Sequence, residues 1–313
     1  MYQPYVRGKQ FELIGIRELI ENVLAPNKEK VSPIIEPVKD SSTLKTTLSM
    51  LVQHDVNFTI IINPQVGTFT DIEKIFDSIQ NSIENSKNYQ IGIIFHNKID
   101  HLNIIKFLKK YKSIVPALTI IHNTVFNDIE NIINTYQENF KIKYNVINLS
   151  YTTKRYHRNF HGETRVELDD YFDAKSRNAD YLQIDESSFS EEHLYYKEDG
   201  FTGFGDYLCI GEEYSETGFL PYAVAIHLSY AEKETNRIKI KHFVSNSNDD
   251  QSDIGGKFSE ALDKLIAWCD EEKYDSISVP IFREYHKSGH FPGLGTLKKL
   301  SLMNHIDLVL RLI

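Results

Sequence analysis

The sequence predicts an α/β chain built as a modified TIM-type (β/α) barrel, with an irregular C-terminal third that contains a β-hairpin. Three observations carry that expectation. Apolar runs recur and each ends in a polar residue, helical periodicity fills the segments between them, and a hairpin pattern late in the chain departs from a regular eightfold barrel.

The runs are Ile34-Ile35-Glu36, Ile61-Ile62-Asn63, Ile94-Phe95-His96, Ile120-Ile121-His122 and Val146-Ile147-Asn148, with terminal positions 27, 33, 26 and 26 residues apart. Runs rich in Ile and Val without strict alternation are what strands buried on both faces look like. Between them, Leu44, Leu48, Leu51 and Val52 mark one helical face, as do Ile72, Ile75, Phe76, Ile79 and Ile83, and then Val125, Ile129, Ile132, Ile133, Tyr136 and Phe140. Thr70-Asp71-Ile72-Glu73 and Asn127-Asp128-Ile129-Glu130 resemble capping boxes at two helix starts. Strand, helix, strand at this step is a repeated βαβ unit.

The repeat weakens after Ser150. Thr164 to Asp169 reads as a sixth strand, and an irregular excursion follows at about 182–221. Tyr222 to Tyr230 and Arg237 to Val244, joined by a short polar loop, read as a hairpin. Phe258, Leu262, Leu265, Ile266 and Cys269 form one more helical face, Ser276 to Ile281 offers a final strand, and Gly295 to Asn304 a final helix. The whole is expected as one barrel-like domain, 1–313; an open doubly wound sheet shares the first five units without closing.

Composition narrows the function. A formal net charge of -9 does not indicate nucleic acid as the default partner. Two cysteines, Cys209 and Cys269, without CxxC spacing give neither a disulfide framework nor a zinc site. With no apolar stretch of membrane-spanning length, a cytoplasmic location is expected. Neither GxSxG nor HExxH occurs, so a familiar acyl-transfer or metalloprotease motif is absent.

In parallel α/β folds the carboxyl ends of the strands meet on one rim, which in barrels holds the active site. Glu36, Asn63, His96, His122 and Asn148 are expected there, with Lys39, Gln65, Asn97 and Asn123 just beyond them. Glu36 is a candidate base or ligand with Lys39 as its charged neighbour, and His96 and His122 are candidate acid/base groups. The two histidines with Glu36 or Asp169 match the ligand types of a divalent metal, which makes such an ion the candidate cofactor. Asn63, Gln65, Asn148, Asp169 and Arg177 are candidate ligand-binding residues, Arg177 toward a small anionic ligand. The competing use of each is local: polar strand ends cap helices and bond loop backbone, and Arg177 has Asp173 and Asp180 within reach in sequence.

Six segments carry a resemblance. Pro4-Tyr5-Val6-Arg7-Gly8-Lys9-Gln10-Phe11-Glu12-Leu13, Ile34-Ile35-Glu36-Pro37-Val38-Lys39, Ile62-Asn63-Pro64-Gln65-Val66-Gly67, Ser176-Arg177-Asn178-Ala179-Asp180-Tyr181, Phe204-Gly205-Asp206-Tyr207 and Gly289-His290-Phe291-Pro292-Gly293-Leu294-Gly295-Thr296 resemble the beta family of prokaryotic proteins over nearly the whole chain. The resemblance implies a modified β/α barrel encoded beside a second small protein, an arrangement like that of mobile antiphage-defence or toxin-control modules. It assigns no catalytic residue. Two functions are therefore expected: a barrel-shaped partner or sensor protein in such a module, or a metal-assisted enzyme acting on a small anionic or nucleotide-like substrate at the rim.

Overall fold

Parallel strands whose two faces are both covered carry almost no polar side chain, and the computed structural model places five of them where the apolar runs stand. It describes residues 1–84, 86–215 and 220–313; residues 216–219 of the expected excursion lie outside these. The chain divides into two compact units, Met1–Asp170 with Glu192–Asp206, and Tyr171–Glu191 with Tyr207–Ile313.

The first unit holds β1 (Tyr5–Val6), β2 (Ile34–Ile35), β3 (Phe58–Ile61), β4 (Tyr89–Phe95), β5 (Leu118–His122), β6 (Ile142–Asn148) and β7 (Arg165–Asp169). After β8 (Glu186–Ser190), which belongs to another sheet, the barrel takes its last strand as β9 (Gly203–Asp206). All eight are parallel, in the order β1-β2-β3-β4-β5-β6-β7-β9. Tyr2 bridges Phe204 in the parallel sense, while Tyr5 and Val6 pair with Ile34 and Ile35. One N-terminal segment thus touches both sheet edges, and the nearly closed barrel replaces the open-sheet alternative.

Helices α1 (Gln10–Leu19), α2 (Ser42–Gln53), α3 (Ile72–Ile83), α4 (His101–Lys110) and α5 (Ile129–Gln137) follow the first five strands. The cap positions of α3 and α5 stand one residue later than the capping boxes suggest. Asp71 accepts from the N–H groups of Glu73 and Lys74, while Asp128 stands at the cap of α5 without a bond to the helix backbone. No α-helix follows β6. Two short 3₁₀ turns, Tyr156–Asn159 and Gly162–Thr164, lead to β7 instead.

The barrel interior is packed. A Cβ at Gly92 would sit 2.8 Å from the side chains of Thr59 and Ile61, and one at Gly205 would sit 2.4 Å from the carbonyl oxygen of Gln3. Strand β9 is glycine-rich because the N-terminal segment runs directly against it. This is why part of the expected excursion turns out to be a barrel strand.

In the second unit β8, β10 (Ala225–Ala231) and β11 (Ile238–Val244) form an antiparallel sheet in the order β10-β11-β8. The hairpin β10–β11 is the expected one, and its register sets His227 directly opposite His242. The one-turn α6 (Glu192–Tyr195) belongs to the barrel unit; α7 (Ile254–Glu272), α8 (Val279–Ser288) and α9 (Leu294–Leu312) complete the second. The strand expected at Ser276 to Ile281 is not formed. Pro280 lies in the first turn of α8, where its fixed φ favours a helix start and its missing N–H costs nothing. The glycine segment after α8 is a loop-to-helix turn, with Gly289 and Gly293 at positive φ. Among the described residues no helix is long and apolar enough to cross a membrane.

Candidate functional site

Glu36 directly follows β2 and is fully buried. Tyr5 donates its hydroxyl to Oε2 at 2.7 Å, the Arg7 guanidinium pairs with the same oxygen, and the backbone N–H of Gln65 donates to Oε1 at 2.7 Å. Strand alternation sets Tyr5 and Arg7 on one face of β1, beside the end of β2. One cation and two further donors are what a carboxylate needs to stay buried. The expected neighbour Lys39 is exposed, and the cation paired with Glu36 is Arg7.

The other rim residues are each engaged by their own surroundings. Asn63 donates to the carbonyl of Ile94 and accepts from its N–H, both at 2.8 Å, so its side chain extends the β3–β4 ladder. Gln65 returns its amide to the Asn63 carbonyl at 2.6 Å. His96 accepts from the N–H of Lys98 through Nδ1 at 3.2 Å. Burial, then the Lys98 charge, lowers its proton affinity. Asn148 donates to Asn123 at 3.1 Å and accepts from the N–H of Ser150. Asp169 accepts from the Ser150 hydroxyl at 2.7 Å and from the N–H of Asp170 at 2.9 Å.

His122 lies wholly inside the fold, edge-on to Phe95 and against Phe160. Nε2 meets Asn145 Oδ1 at 3.1 Å and Nδ1 meets the Tyr156 hydroxyl at 3.3 Å. Desolvation pushes its pKa down to about 3, so the ring is neutral. With both nitrogens occupied, His122 is a core histidine. Period-two alternation sends His96, next to Phe95, toward the opposite face. Among the described residues no three His, Cys, Asp or Glu side chains are grouped to hold a metal ion. The pairing of His96 and His122 as ligands is therefore not assembled. Arg177 lies in the second unit, exposed and bonded to Asp180 at 2.6 Å.

A second constellation, in the other unit, was not anticipated. His227 Nδ1 and His242 Nδ1 lie 2.8 Å apart, and His242 Nε2 lies 2.9 Å from Ser187 Oγ. The Tyr181 ring covers both imidazoles, with centroids 4.7 and 4.6 Å away. Burial pushes His227 down to about 3 and His242 to about 4. The sequence placed the hairpin but not this pair: strands ending at Tyr230 and Arg237 set His227 opposite Ile240, and only the observed register, with Ala231 opposite Ile238, brings the two histidines together.

Comparison with protein families, with curated proteins and with solved structures gives no match.

Proposed function

We propose that the chain is the barrel-shaped partner component of a two-gene prokaryotic defence or toxin-control module, acting in the cytoplasm, and that its partner protein docks on the loops after β4, β5 and β6. One observation carries this reading. Leu102, Val125 and Tyr151 are 77%, 40% and 50% exposed on those three successive segments. The segments are tied together by Thr124 donating to Asn97 at 2.5 Å and Asn148 donating to Asn123 at 3.1 Å.

Exposed cations, Lys98, Lys154 and Arg155, stand among these apolar side chains. The exposed carboxylates of the same loops are bonded to their own helices: Asp100 accepts from the N–H and amide of Asn103, and Asp128 from the amide of Asn131. A cross-tied surface with apolar anchors and outward cations suits a protein partner with an acidic, apolar face. Two of the three anchors, Leu102 and Val125, are aliphatic and only Tyr151 offers a ring on which a base could stack, which favours protein over nucleic acid. The rim-enzyme reading has less support, since Glu36, Asn63, His122 and Asn148 spend their polar atoms on the fold itself.

Co-expression with the neighbouring gene product tests the reading. The wild-type chain is expected to co-purify with it, and the double change Leu102→Glu, Tyr151→Glu to lose it while keeping the native circular dichroism. A monodisperse chain that ignores the neighbouring protein, or a double variant that binds equally well, overturns it.

A further inference from the structure

We propose that Ser187, His242 and His227 act as nucleophile, base and orienting group for acyl transfer on a small carboxylic ester, entering by the cleft that His242 helps to line. The three belong to neighbouring strands, so the sheet register fixes their order: His227 faces His242 across β10 and β11, and β11 pairs with β8, which carries Ser187.

One proton arrangement satisfies both bonds. His242 carries its hydrogen on Nδ1 and donates to His227 Nδ1, which leaves Nε2 open to accept from the Ser187 hydroxyl. That is the relation a hydroxyl nucleophile requires: a base within hydrogen-bond reach, held in one tautomer by a third group. Tyr181, almost completely buried, packs over both rings and restricts their rotation. Ser187 is only partly buried and lies on β8, an edge strand paired on one side alone.

Substrate space adjoins the base. His242 forms part of the wall of a cleft of about 420 Å³, together with Leu182, Ile184 and Asp185 from the segment leading into β8, and Ala267 and Trp268 of α7. This volume falls in the range of small-molecule sites; Leu182, Ile184, Ala267 and Trp268 suit a short acyl chain, while Asp185, Lys241, Lys264 and Glu271 make the rest of the wall charged.

The step balances without a further reagent. Ser187 Oγ attacks the ester carbonyl carbon as its proton passes to His242 Nε2; the carbon–oxygen bond to the alcohol then breaks, and that proton leaves with the alcohol. Water repeats the sequence, giving up one proton to His242, which returns it to Ser187 Oγ as the carboxylic acid departs.

The test uses the full chain with a fluorophosphonate probe, followed by mass spectrometric mapping. Labelling is expected on Ser187, absent in Ser187→Ala and slowed about a hundredfold in His242→Gln, within the usual worth of a positioned base. His227→Asn, which alters positioning, is expected to slow labelling and move the midpoint of its pH profile while the thermal midpoint stays put. No labelling of the folded wild-type chain, or equal labelling of wild type and Ser187→Ala, overturns the proposal. The barrel rim takes no part in this readout, so its result is separate from that of partner binding.

Discussion

Both units bury histidine, and they satisfy it in different ways. In the barrel, His122 gives one ring nitrogen to Asn145, whose amide donates onward to Thr164 at 3.1 Å, and the other to the Tyr156 hydroxyl. In the second unit, His227 and His242 meet each other, and His242 passes the contact on to Ser187. The difference follows from what covers each strand. A parallel barrel strand lies under helices and loops that bring fixed partners, whereas an antiparallel hairpin sets like residues face to face and leaves them to pair. Burial thus gives the imidazole an amide and a phenol as partners in one place and a second imidazole and a serine in the other.

The sharpest way to break the comparison is at the barrel's own buried charge. Glu36→Ala leaves Arg7 facing a cavity where its counter-ion stood, and should cost about 3–5 kcal/mol in urea unfolding, the usual loss when one partner of a buried pair is removed. Glu36→Gln, which keeps the shape and part of the bonding, should cost less. Equal midpoints for wild type and Glu36→Ala would mean that the pair does not organise the rim.

Acid gives a smaller effect with a definite sign. His122 is neutral in the folded barrel down to about pH 3 but takes a proton near pH 6.5 when unfolded. The unfolded state therefore binds more protons between these values, and stability falls as pH drops from about 6.5 toward 3. In His122→Gln the slope of unfolding free energy against pH in that window should become shallower, by up to about 1.4 kcal/mol per pH unit for one proton. An unchanged slope would remove His122 from the acid response.

The smallest effect belongs to Arg177. Its bond to Asp180 is fully exposed, so Arg177→Ala should leave the thermal midpoint unchanged. A clear drop would show that the second unit depends on surface pairing.

Much of the barrel could be read from residues because its strands are buried on both faces, which leaves uninterrupted Ile and Val with a polar stop where the chain emerges. Strands β2 to β6 follow that rule. Strand β1 is only two residues long and hides within a polar, aromatic stretch, and β9 hides because close approach of the backbone demands glycine where the pattern calls for branched side chains. At the rim, residue type correctly located Glu36, Asn63, His96, His122 and Asn148 at strand ends. It did not reveal direction, so His122 looked available when alternation had turned it into the core. Arg7 escaped notice for a related reason: its role appears only once β1 is known to lie beside β2.

The N-terminal segment ahead of β1 has a temporal consequence. The hydroxyl of Tyr2 finds its acceptor on Asp206, 204 positions further along the chain. At about 5–20 residues per second, a ribosome delivers that acceptor roughly 10–40 s after Tyr2 has emerged. Until then the growing protein carries an unsealed sheet margin able to pair with a foreign strand. Completion of the seam is thus a late event in biogenesis, and nascent chains halted before Gly203 should be the species that chaperones hold longest.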